Sequence, residues 1–112
     1  MESKKFHYDE YSDSLIISNR RENEYVERNF EIGDIIFSLT GKGKIDCIEI
    51  RGASSFFESC NINPELLKNA TTIEMQIVPK RGAIFLLLKI ESSEGENILS
   101  KNIPLVVPII SR

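Results

Sequence analysis

The chain has 112 residues, of which 41% are apolar and 28% charged, with a formal net charge of −3. That is the length of one domain, able to bury about two thirds of its unfolded surface without metal or disulfide staples. The acidic balance weighs against nucleic acid, whose binding domains carry a basic excess, and no window approaches the ~18 apolar residues of a membrane span.

The amino terminus, Met1-Glu-Ser-Lys-Lys-Phe-His7, has positive charge but no apolar run behind it, which argues against a secretory signal. Cys47 and Cys60 are the only cysteines. Without an export signal they are expected to be reduced thiols of a cytoplasmic protein.

Lys4 to Tyr8 reads as a strand with Phe6 and Tyr8 on one face and Lys5 and His7 on the other. Asp9-Glu-Tyr-Ser-Asp13 follows as a turn, because aspartate side chains bond nearby backbone amides, and Ser14 to Ser18 completes a hairpin. A charged connection, Asn19-Arg-Arg-Glu-Asn23, leads to Glu24 to Phe30, a strand with one wet face. Gly33-Asp34 turns the chain into Ile35 to Leu39. Thr40-Gly-Lys-Gly43 then reverses it into Ile45 to Arg51, whose Ile48 and Ile50 share a face. The pattern predicts a five-strand antiparallel meander over 4–51.

Gly52 breaks the last of these strands, and Ala53 to Ser59 is expected to form a short helix whose Phe56 and Phe57 need cover. A strand handing over to an apolar helix is where a sheet acquires a second layer. A second short helix begins near Asn63-Pro64-Glu65. Asn63 suits the N-cap, Pro64 the first helical position, and Glu65 the positive helix start. Leu66 and Leu67 would then face the body, and packing must sustain so short a helix.

From Thr71 strands return. Ile73, Met75 and Ile77 alternate with Thr72, Glu74 and Gln76, and Pro79 is expected to end that ladder. Lys80-Arg81-Gly82 turns the chain into Ala83 to Ile90, apolar at nearly every position, as a central strand covered on both faces would be. Ser92 to Glu96 reads as a hairpin loop and Asn97 to Ile103 as the returning strand. Pro104 and Pro108 confine the final segment to a sheet edge or an extended arm. Leu15, Ile17, Val26, Phe30 and Ile36 are echoed 73 positions later by Leu88, Ile90, Leu99, Ile103 and Ile109. Hydrophobic hairpins can share such spacing by chance.

Reactive constellations are sparse. His7 is the only histidine, a poor start for a zinc site, which takes three or four ligands. There is no Gly-x-Ser-x-Gly elbow, and Cys47 has only His7 to draw on as a base. Acidic pairs such as Glu49 with Glu58, or Glu74 with Glu91, carry little information among 17 acidic residues. The basic pairs Arg20-Arg21, Lys42/Lys44 and Lys80-Arg81 all fall at expected loops, interleaved with acids and without aromatic partners for stacking bases.

Two fragments nevertheless carry a resemblance. Tyr8-Asp-Glu-Tyr-Ser-Asp13-Ser-Leu15-Ile-Ile17, followed by Gly43-Lys-Ile-Asp-Cys-Ile48-Glu49-Ile50 with Ala53-Ser54 as a helix entry, resembles the family catalogued as domain of unknown function 2283. The resemblance covers roughly residues 4–60. Cys47 stands where that family usually has Gly, Ser14 where it usually has Ala, and the part from Thr71 lies outside its short version. It implies a small prokaryotic cytosolic protein without established enzymatic activity, some of whose relatives look like neutralising partners of a small toxin.

These readings predict a single α+β domain over 1–112. It comprises an antiparallel sheet of about eight strands, curled or split into two layers, with one or two short helices in 52–70 and carboxyl-terminal strands in 71–110. The expected function is a non-enzymatic protein-interaction or binding domain, toxin-neutralising or regulatory, with no cofactor and no metal. The alternative is a small hydrolase or ligand-processing enzyme using Glu49 and Cys47. A polar cluster converging in a pocket would favour the enzyme, and a flat apolar patch the interaction domain. Leu105, Val106, Val107, Ile109 and Ile110 are the expected contact residues. They would serve a homodimer or a small protein partner, since so aliphatic a chain end would otherwise be polar and frayed.

Overall fold

The computed structural model describes residues 5–19 and 25–108. Readings that fall on Lys4, the Arg20-Arg21 pair, Glu24, Ile109 and Ile110 lie outside the described residues. The elements run β1 (Phe6–Asp9), β2 (Ser14–Ser18), β3 (Val26–Ile32), β4 (Ile35–Thr40), β5 (Ile45–Arg51), α1 (Ala53–Ser59), α2 (Glu65–Asn69), β6 (Ala70–Lys80), β7 (Ala83–Glu94) and β8 (Asn97–Pro108).

The strands form two antiparallel sheets, one ordered β1-β2-β5-β4-β3 and the other β6-β7-β8. The first is not the simple meander that adjacency in sequence predicts. The β1–β2 hairpin is joined edge-on to a β3–β4–β5 meander, so β5 pairs with both β2 and β4. Central placement gives β5 a ladder on each side, and Ile48 and Ile50 have no solvent exposure. Because β2 and β3 are not neighbours whereas β7 and β8 are, the 73-residue echo does not correspond to a repeated hairpin.

Register explains the core. Phe6, Ile17, Ile48, Phe37 and Phe30 form one row across all five strands of the first sheet, and Tyr8, Leu15, Ile50, Ile35 and Ile32 form the next. Phe30 and Phe37 stack with ring centroids 5.0 Å apart. The inner face of the second sheet supplies Ile73, Met75, Ile84, Leu86, Leu88, Ile90, Ile103 and Val107, and both sets belong to one hydrophobic cluster. Alternating strands thus place half their residues between two layers, as period-two geometry requires.

The helices cover one end of that core. Gly52, at φ 62°, ends β5 in the left-handed conformation that glycine adopts without a Cβ penalty, and its carbonyl accepts from Phe56 N–H at 3.0 Å. Phe57 is buried as expected and Phe56 partly so. Asn63 Oδ1 accepts from Glu65 N–H at 3.0 Å, but the cap position of α2 is Pro64, one residue later than expected, and it makes no side-chain capping bond. Of the two leucines expected to face the body, Leu67 is buried and Leu66 only half so.

In the second sheet the structure departs from the sequence pattern in three places. Pro79 does not end its ladder but pairs with Ile84. This is compatible with an edge strand, where a residue without an amide hydrogen can face away from its neighbour. Ser92 to Glu94 continue β7, leaving Gly95-Glu96 as the turn. Most consequentially, β7 is central but covered on one face only: Ile84, Leu86, Leu88 and Ile90 are buried while Phe85 and Leu87 are exposed.

Candidate interaction surface

Of the residues that carry the resemblance, Tyr8, Asp9, Asp13, Ala53 and Ser54 meet at one corner of the first sheet. Tyr8 Oη donates to Asp13 Oδ1 at 2.6 Å. Ser54 Oγ donates to Asp13 Oδ2 at 2.6 Å and Ser54 N–H to Oδ1 at 3.0 Å. Ala53 N–H donates to the Asp13 carbonyl at 2.9 Å. Asp13 itself sits at φ 55°, a left-handed conformation that aspartate tolerates better than most residues. The preceding turn is held by Asp9, whose carboxylate accepts from Tyr11 N–H and Ser12 Oγ, each at 3.0 Å.

Burial alone would raise the Asp13 carboxyl. The Ser54 hydroxyl, the Tyr8 hydroxyl and the Ser54 amide outweigh it and hold the carboxyl below its usual range. Tyr8 is pushed up to about 12, first by its hydrogen bond to Asp13 and then by burial and nearby carboxylates. A carboxylate held this low is a poor proton acceptor near neutral pH. The cluster is therefore a latch between the β1–β2 turn and α1, across 41 positions of sequence.

This latch has a pH signature. The folded Tyr8 titrates near 12 instead of 10.0, so its contribution to stability is complete below pH 10 and lost as pH rises toward 12. Asp13 behaves oppositely: its contribution is present above the ordinary carboxylate range and lost as pH falls through its lowered folded value. Chemical denaturation across pH should show the alkaline loss in the natural chain and not in Tyr8→Phe. Equal slopes for the two proteins would refute this assignment.

Cys47 and Glu49 share one face of β5 in adjacent rows, Cys47 buried and Glu49 half-buried. Cys47 pairs across the ladders with Ser18 and Ser38, and its thiol lies 3.9 Å from the Ile48 carbonyl. His7 is opposite Ile16, which is opposite Glu49. Two strand spacings, roughly 10 Å, thus separate the His7 and Glu49 backbones, and Cys47 is a further row away. That spacing does not assemble a nucleophile with its base. Cys60 is partly exposed beyond α1, and neither Cys47 nor Cys60 is in a disulfide. Among the described residues no three His, Cys, Asp or Glu are grouped to hold a metal ion, and no helix is long and apolar enough to cross a membrane.

The largest unassigned feature is the outer face of the second sheet. Its rows run Lys80–Ala83–Pro108, Val78–Phe85–Val106, Gln76–Leu87–Pro104, Glu74–Lys89–Asn102 and Thr72–Glu91–Ser100. Val106 is 59% exposed, Val78 47%, Phe85 42% and Leu87 38%, so large apolar groups lie side by side across three strands. The carboxyl-terminal run is divided by strand alternation. Leu105 is half-buried and Val107 buried against the chain's own core, while Val106 faces outward. Phe85 and Leu87 escaped the sequence reading because an unbroken apolar run looks like burial on both faces. Among the described residues the two short helices, α1 and α2, contribute Ala53, Phe57 and Leu67 to the core, and Phe85, Leu87 and Val106 are left exposed.

The edges of this sheet are less open than its face. Proline donates no hydrogen bond, so the side of β8 that carries residues 104 and 108 is the side away from β7. Between those prolines only Val106 offers an amide there. On β6, Pro79 places the same parity outward, and the Met75 carbonyl on that side accepts from Asn19 Nδ2 at 2.8 Å. Comparison of the chain with protein-family models, curated proteins and solved structures returns no match.

Proposed function

We propose that this chain is a non-catalytic protein-interaction domain that self-associates as a homodimer, with the outer face of β6–β8 as its contact surface. The observation that supports this reading is the row Val78–Phe85–Val106, flanked by Leu87 and Pro104 on an exposed sheet face. Contiguous exposed apolar area of this kind marks contact sites. Of the three expected contact residues that are described, Val106 is on this surface, and Leu105 and Val107 support it from behind. A neutralising or regulatory role of the sort the family resemblance implies would use the same face.

The test is sedimentation of the full chain over a range of concentrations, beside the Phe85→Lys and Val106→Lys variants. The natural chain is expected to sediment faster as concentration rises, and both variants to remain monomeric with an unchanged circular dichroism spectrum. A natural chain that stays monomeric at high micromolar concentration would sink the reading.

A further inference from the structure

Resting on that reading, we infer that the partner is a second copy stacked face to face and antiparallel, in a register fixed by Lys80 of each copy against Glu74 of the other. The outer face is polarised along its strands. Lys80 and the turn residue Arg81 stand at one end, the apolar rows lie next to them, and beyond lie Glu74 and Glu91 with Lys89 between them, a net negative end. A two-fold axis crossing the strands between the rows of Phe85 and Leu87 sets each of those rows on the other. It also sets the row of Lys80 on the row of Glu74. Because an isologous contact repeats every interaction, the Lys80–Glu74 pairing occurs twice. A two-fold axis running along the strands would instead set Glu74 over Asn102 and Lys80 over Pro108, with no charges matched. Charge pattern thus favours this axis over the one along the strands, which would also set Lys89 on Lys89 and Glu91 on Glu91.

Size and edges agree with this arrangement. Three strands ~4.8 Å apart and five rows spanning ~27 Å give roughly 400 Å² of face per copy. The contact therefore falls at the small end of specific interfaces, below about 1,200 Å² in total, where reversible micromolar association is expected. Pro104 and Pro108 disfavour the competing route of strand addition along β8, while both present apolar rings on the stacking face.

Sedimentation equilibrium at low salt, with circular dichroism to confirm folding, tests the register through charge reversal. Lys80 and Glu74 are both exposed, so their substitution spares the core. Lys80→Glu and Glu74→Lys should each weaken association by about tenfold or more, because each sets like charges opposed twice. The double variant should recover most of the loss. If single reversals change nothing while Phe85→Lys abolishes the dimer, the register is overturned and the contact face stands. If Phe85→Lys leaves the dimer intact, the copies meet elsewhere and both readings fall. They fall together also if the natural chain is monomeric throughout.

Discussion

Ile50→Asp is expected to abolish folding, whereas Glu49→Gln, one residue away on the same strand, should be nearly silent. Ile50 has no solvent exposure and lies at the middle of the row Tyr8–Leu15–Ile50–Ile35–Ile32, on the strand that pairs with both halves of the first sheet. Removing such a side chain from a packed core costs about 2–5 kcal/mol. A carboxylate put in its place adds several kcal/mol more for an unpaired buried charge, or for the proton it must take up. The whole stability of a domain is about 5–15 kcal/mol. Glu49 occupies the outer face, half-buried, and its replacement by an uncharged isostere should stay within about 0.5 kcal/mol. Far-ultraviolet circular dichroism and thermal melts of the two variants decide the matter. A cooperatively folded Ile50→Asp protein would show that the strand's faces are reversed.

The second large effect should come from Asp13→Ala, although the residue is neither apolar nor fully buried. Three donors lose their acceptor at once: the Tyr8 hydroxyl and the Ser54 hydroxyl, both at 2.6 Å, and the Ser54 amide at 3.0 Å. Loss of a helix cap costs about 1 kcal/mol, and alanine at φ 55° adds a left-handed penalty of roughly 1–2 kcal/mol. The expected destabilisation is about 2–4 kcal/mol, measured by urea denaturation. Asp13→Asn keeps the backbone preference and one acceptor oxygen, so it should recover part of the loss. Equal destabilisation by the two substitutions would show that the latch depends on charge alone. No destabilisation by either would remove the latch from the account of the fold.

The outer face of β6–β8 and the latch at Asp13 place binding and stability in different parts of the molecule. Substitutions on the outer face should alter association and spare the fold, because Phe85, Val106, Lys80 and Glu74 make no part of the hydrophobic cluster. Substitutions at Asp13 or Ile50 should act through stability. This separation is what makes the charge-reversal cycle interpretable.

The amino-acid sequence by itself determined where the strands and helices lie and, for most strands, which side chains face inward. Alternation at Leu15 and Ile17, at Ile48 and Ile50, and at Ile73 and Met75 is a local signal with a period of two, and burial follows it. Gly52 and Asn63-Pro64 are equally local, because φ preference and capping act within a few residues. Only the tertiary structure decided what pairs with what. The β2–β5 ladder joins residues 29 to 37 positions apart, and nothing within either strand distinguishes that partner from the adjacent β3. Asp13 reads as a turn residue until α1 arrives to be capped by it. The outer face of β7 shows the same limit from the other side. Phe85 and Leu87 look like core in sequence, and they are surface because, among the described residues, no further layer lies over them.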